Sequence, residues 1–159
     1  MATITNDQEL RAALNRLTAE QQRLLGSRFA ENILRLSRDE RIHRAIATGL
    51  RDDVTPGELE DAFRSARAYA VKTYTDCGKD TDWLAQADHF VAAAAAAALT
   101  PDELMAERQN RAWKAAVQAR MAVNCAMIED DVASESAEAH HQYALANTFL
   151  AVNHVEGQG

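Results

Sequence analysis

Two glutamate-x-x-histidine pairs are the residues in this chain most suited to binding a metal ion: Glu40/His43 and Glu138/His141. In four-helix bundles that bind two metal ions, each ion takes such a pair, because residues three apart project side by side from a helix. Glu40 is also expected to cap a helix, which leaves Glu138 and His141 as the better metal candidates. The apolar helix stripes show no clear further inward glutamates. The alternative interpretation is therefore a helix cap and surface histidines.

Asp88 and His89 form a second candidate site, because they lie inside the most apolar predicted helix. Buried polar groups need hydrogen-bond partners, and we expect Asp88 to pair with an arginine of the third or sixth predicted helix. A structural hydrogen bond is favoured over a catalytic acid or a ligand at this position. Asn124 lies in the apolar stripe of the sixth predicted helix and is expected to be a buried amide that fixes helix register.

An acidic region surrounds the predicted turn between the last two helices. It is formed by Glu129, Asp130, Asp131, Glu135 and Glu138, and His140 and His141 adjoin it. This region is the candidate patch for a cationic partner, and a solvated turn is the alternative.

Composition and motifs exclude several classes of function. The chain has 159 residues and a formal net charge of −7, which disfavours binding to nucleic acid. Glycine-rich nucleotide loops, GxSxG and HExxH are absent, and no nucleophile lies beside a base. We therefore expect no cofactor. Cys77 and Cys125 are too few and too far apart for a CxxC-type site. No apolar run approaches the roughly 18–20 residues of a membrane span, and residues 1–6 do not resemble a signal peptide, so we expect a cytoplasmic protein.

Helix starts are marked by four segments with the capping-box pattern S/T-x-x-E/Q. They begin at Thr18, Ser37, Thr55 and Thr100, and proline follows at once in the last two. Proline is favoured at the first helical position because its missing N–H has no partner there. Each segment opens a stretch with apolar residues every three or four positions, which predicts a helix.

The spacing of apolar residues predicts seven helices and no strand. The predicted helices cover residues 6–17, 19–36, 38–51, 56–76, 82–99, 101–131 and 135–153. The fifth contains seven consecutive alanines at 92–98, and a helix that is apolar on all sides belongs in the middle of a bundle. In the sixth helix the predicted buried stripe is Trp113, Val117, Met121, Asn124 and Ile128. The expected fold is an all-α, single-domain bundle of about seven helices over residues 1–159, with an ordered core at about 6–153.

The order of segments resembles that of the bacterial YjaG-like helical proteins. The similar segments are residues 17–22, 29–31, 80–83, 115–128 and 143–150, with the alanine-rich helix after the third. The chain is also similar to alanine-rich helical proteins regarded as immunity proteins, through residues 39–52, 57–59 and 111–113. Both resemblances imply an all-α bundle, and neither supplies a catalytic residue.

Taken together, the sequence predicts a non-enzymatic protein that binds another protein or itself. An immunity or regulatory protein is the expected kind, with no affinity for nucleic acid or membranes. The alternative is a helical bundle that binds a metal or a small ligand through Glu138 and His141, or through Asp88 and His89.

Overall fold

The described chain is an all-α helical bundle, as predicted. The computed structural model describes residues 3–74, 82–129 and 137–153, and within these ranges there is no strand. Seven α-helices follow in chain order: α1 (Asp7–Leu14), α2 (Ala19–Glu31), α3 (Glu40–Gly49), α4 (Pro56–Thr73), α5 (Trp83–Leu99), α6 (Arg111–Glu129) and α7 (Ala137–Asn153). Two 3₁₀ turns, Leu34–Leu36 and Asp102–Leu104, lie in the connections. No helix in the described ranges is long and apolar enough to cross a bilayer.

The alanine-rich helix α5 lies at the centre of the bundle, as predicted. It packs against α2, α3, α4 and α6, and Ala92, Ala94 and Ala98 have no solvent-exposed surface. Small side chains let the neighbouring backbones approach closely. A Cβ atom added at Gly26 of α2 would lie 3.1 Å from the Cβ of Ala98 and 3.3 Å from the Cα of Ala112. Glycine is therefore kept at a position where alanine would favour the helix by about 1 kcal/mol.

Two of the four predicted capping boxes form as expected. Thr18 accepts a hydrogen bond from the Gln21 amide, and the Gln21 side chain accepts one from the Thr18 amide. Thr55 and Glu58 make the same reciprocal pair at the start of α4, with proline at the first helical position. These bonds satisfy amides that would otherwise lack a partner in the first turn.

The predicted start of α3 at Ser37 is wrong by two residues. Asp39 is the N-cap, and its carboxylate accepts a hydrogen bond from the Arg41 amide at 2.8 Å. Glu40 is consequently the first residue of the helix, with an exposed side chain, and not the third residue of a capping box. Helix α2 also ends earlier than predicted, at Glu31, and the first 3₁₀ turn follows it. The Ser37 hydroxyl instead accepts a hydrogen bond from the Asp39 amide at 3.3 Å, so Asp39 and not Ser37 caps the first turn of α3.

The prediction that the sixth helix begins at residue 101 is wrong by ten residues. After Pro101 the chain forms only the second 3₁₀ turn, and no side chain caps it. Arg108 then has a φ of 70°, which no α-helix accommodates. The Asn110 side chain accepts a hydrogen bond from the Trp113 amide at 3.1 Å, so α6 begins directly after this asparagine.

The buried face of α6 was also predicted wrongly. Ala115, Ala119 and Ala122 pack with the alanines of α5 and have no exposed surface, whereas Met121 is 41% and Ile128 52% exposed, and Asn124 is exposed too. Asn124 is therefore not a core amide. The expected stripe followed the largest side chains, but the close contact with the alanines of α5 requires small side chains on both helices.

Candidate interaction groove

Glu138 and His141 lie together in the first turns of α7. The Glu138 side chain is 4% exposed, and its Oε2 accepts a hydrogen bond from Asn32 Nδ2 at 2.9 Å. His141 Nδ1 lies 3.2 Å from Glu138 Oε1, but the His141 side chain is 63% exposed. The glutamate therefore joins α7 to the end of α2. Among the described residues, no group of three or more His, Cys, Asp or Glu side chains could hold a metal ion.

Asp88 and His89 both connect α5 to α4. The Tyr69 hydroxyl donates to Asp88 Oδ2, and His89 Nδ1 lies 3.1 Å from the Thr73 hydroxyl. The predicted arginine partner of Asp88 is thus wrong, and a tyrosine of α4 takes its place. Burial of Tyr69 is the main cause that raises its pKa to about 12, and the hydrogen bond to Asp88 is the second cause. Burial lowers the pKa of His89, which favours its neutral ring.

The other predicted sites do not come together with these. His43 Nε2 lies 2.8 Å from the Ser37 carbonyl oxygen, while Glu40 points to solvent. Most of the predicted acidic patch, residues 130–136, lies outside the described residues, as does Cys77. Cys125 is buried.

A groove of about 550 Å³, here called the acidic groove, is a feature that the sequence analysis did not anticipate. It lies where the start of α2, the α3–α4 connection, the start of α4, the end of α5 and the start of α6 meet. Its apolar floor is formed by the partly buried Val54 and Leu59 together with Leu99, which is 5% exposed.

Two buried arginines shape the acidic groove, and their donors are directed at the protein itself. Arg111 Nε donates to the Thr100 carbonyl at 2.5 Å, and its Nη2 binds the Asp102 carboxylate. Arg23 Nη1 donates to the Arg51 carbonyl at 3.2 Å, and its Nη2 lies 3.6 Å from Glu20 Oε1. Each guanidinium is thus paired with one carboxylate, so neither adds net positive charge to the groove.

Carboxylates outnumber the cations around this groove. Its five acidic residues are Glu20, Asp52, Glu60, Asp102 and Glu103. Glu20 and Asp102 pair with the two arginines, and Glu60 pairs with Arg64 at 2.5 Å. Asp52 and Glu103 have exposed side chains and no ion pair with any residue in the described ranges. An apolar floor beneath uncompensated negative charge suits an aliphatic group that ends in a cation.

Comparison of the chain with protein-family models, with curated proteins and with solved structures found no match. The resemblances to YjaG-like proteins and to immunity proteins therefore stay predictions.

The acidic groove could not be found from sequence patterns, because its residues come from four separate stretches of the chain. The sequence pattern of residues 100–103 predicts a capping box. Each of these residues therefore has an expected role within a helix start, and none is expected to line a groove. One sequence feature could have indicated the groove: two acids follow Pro101, and Arg111 lies shortly after them. In the structure the buried Arg111 side chain binds Thr100 and Asp102, so it joins the two ends of the α5–α6 connection.

Proposed function

We propose that this chain is a non-enzymatic interaction protein of the immunity or regulatory kind, and that its acidic groove binds a basic segment of a partner protein. The observation that carries the proposal is the pair of uncompensated carboxylates, Asp52 and Glu103, in one groove with the apolar floor at Val54 and Leu59. A lysine or arginine side chain matches both features, because its methylene stem buries against apolar surface while its head stays near the acids.

The overall charge supports the same partner. With a net charge of −7, the chain attracts basic proteins over distances of about one Debye length, roughly 8 Å at physiological ionic strength. Such attraction raises the association rate, while the apolar floor supplies contact that salt does not screen.

The experiment measures binding of fluorescein-labelled eight-residue peptides by fluorescence anisotropy. We expect a peptide with two lysines around a leucine to bind more tightly than the same peptide with glutamines in place of the lysines. In ¹⁵N spectra its binding should shift the amide signals of Leu99 and Thr100, which border the groove.

The decisive variant is Asp52→Asn with Glu103→Gln. We expect it to weaken binding of the lysine peptide about three- to tenfold, as loss of two partly screened attractions of about 0.3–0.7 kcal/mol each implies. The matched control is Asp61→Asn with Glu107→Gln, which removes the same charge from exposed residues that lie outside the groove and make no ion pair in the described ranges. Equal weakening by both double variants, or no binding of the lysine peptide, would overturn the proposal.

A further inference from the structure

A second groove of about 570 Å³ adjoins the acidic groove along α4 and is here called the basic groove. The two share Glu60, Pro101 and Glu103 as lining residues, so they form one continuous depression. Its own lining includes Phe63, Arg64, Arg67, Val71, Lys72 and Leu104.

The charge of the basic groove is opposite to that of its neighbour. Arg67 stacks over the Phe63 ring at 6.0 Å from its centroid, and Arg64 pairs with Glu60. Arg67 and Lys72 have exposed side chains and make no ion pair within the part of the chain that the structure describes. Glu103 also lines this groove, so Arg67 and Lys72 leave it with one net positive charge that can attract an anionic group.

Exposed apolar side chains line the basic groove beside its cations. Val71 is 68% and Leu104 54% exposed, although both lie beside the buried ring of Phe63. Large exposed apolar side chains next to one another are typical of surfaces that contact a partner.

We propose that a single extended segment of the partner crosses both grooves, with a basic residue in the acidic groove and an acidic residue in the basic groove. The proposal rests on the proposed function, since it extends the basic segment along α4. Residues between the two charges contact Pro101 and Leu104, so apolar side chains are required there.

Helix geometry sets the approximate length that a segment must span to cross both grooves. From Leu59 in the acidic groove to Val71 in the basic groove, α4 rises about 18 Å at ~1.5 Å per residue. An extended chain covers about 3.3 Å per residue, so the acidic residue lies about five positions from the basic one.

The test compares labelled peptides that carry one lysine and either a glutamate or a glutamine five positions away, with alanine and valine between. Both chain directions are included, together with a peptide whose glutamate lies two positions from the lysine. In one of the two directions we expect the five-position glutamate to tighten binding about threefold or more over glutamine. A glutamate two positions from the lysine should not tighten binding relative to glutamine.

Two double variants test whether the tighter binding of the glutamate peptide depends on the basic groove. Arg67→Gln with Lys72→Gln should abolish the advantage of glutamate over glutamine without weakening the glutamine peptide. Arg16→Gln with Arg38→Gln is the charge-matched control, on exposed residues outside both grooves, and should keep the advantage.

The outcomes separate this inference from the function on which it rests. If the glutamine peptide binds and responds to Asp52→Asn with Glu103→Gln, but glutamate gives no gain in either direction, the two-groove segment is overturned and the basic segment stands. A gain that persists in the Arg67/Lys72 variant also overturns it. If no lysine peptide binds, both proposals fail together.

Discussion

Asn110 makes more structural hydrogen bonds than any capping residue predicted from the sequence. Its side-chain oxygen accepts from the Trp113 amide, and its Nδ2 donates to the Leu14 carbonyl at 2.9 Å, in a buried position. It thereby fixes the start of α6 to the end of α1. The sequence offered a signal in this asparagine, but the proline and acids after Thr100 match a helix start more completely.

Replacing Asn110 with alanine should therefore destabilise the fold. We expect Asn110→Ala to lower the free energy of unfolding by about 1–3 kcal/mol, through the lost cap and the buried carbonyl left without its donor. Urea denaturation followed by circular dichroism measures this. The matched control is Asn124→Ala on the exposed face of α6, expected within about 0.5 kcal/mol of the parent. A larger loss at Asn124 than at Asn110 would contradict both the cap and the orientation of α6.

At the scale of helices, sequence periodicity predicted which segments are helical but not which face of α6 is buried. Apolar side chains at positions 117, 121 and 128 suggested a core stripe, yet the face that meets α5 is made of alanines. A stripe of large apolar residues predicts the buried face of a helix only where the neighbouring helix leaves enough space for large side chains. Here the contact between α5 and α6 is set by how closely two backbones approach, which depends on the partner helix and not on one helix alone.

The packing of α5 gives a prediction at the same scale. Ala94→Leu should lower the free energy of unfolding by about 1–3 kcal/mol, because Ala94 has no exposed surface and three more carbons would have to displace its packed neighbours. Ala85→Leu in the exposed part of α5 is the matched control and should change stability by less than about 0.5 kcal/mol. Alanine and leucine have similar helix propensities, so the difference between the variants reports packing. Similar stabilities for both would mean that α5 is not the central helix.

At the scale of the whole molecule, the all-α class and the central alanine helix could be predicted, whereas the grooves could not. Capping boxes and apolar spacing are local signals, and they identified α2 and α4 correctly at their starts. The acidic groove depends on Arg23 and Arg111 being brought to opposite sides of the same floor, and these residues are 88 positions apart in the chain. Likewise, nothing local relates Asp88 to Tyr69 before the orientation of α5 against α4 is known.

A charged cluster is one of the contacts that join the amino-terminal helix to the rest of the bundle, and it gives the molecule a specific response to acid. Asp7 accepts two hydrogen bonds from Arg120, both at 2.8 Å, and one from the Tyr143 hydroxyl at 2.7 Å. These groups come from α1, α6 and α7. The hydrogen bond from Arg120 is the main cause that lowers the pKa of Asp7 below its ordinary value.

Because the folded-state pKa of Asp7 is lower than the unfolded value of about 3.9, the cluster stabilises the fold above that pH and loses its contribution as the pH falls through the folded-state pKa. Asp7→Asn should therefore lower the free energy of unfolding by about 1 kcal/mol at pH 7, a modest value because the aspartate is 46% exposed. The gap between the parent and Asp7→Asn, measured by urea denaturation, should stay constant from pH 7 to 5 and narrow toward pH 3. Asp61→Asn, at an exposed position of α4 without an ion pair in the described ranges, should show no such pH-dependent gap. A gap of the same size at pH 7 and pH 3 would mean that Asp7 stabilises α1 through its shape and helix position rather than through its charge.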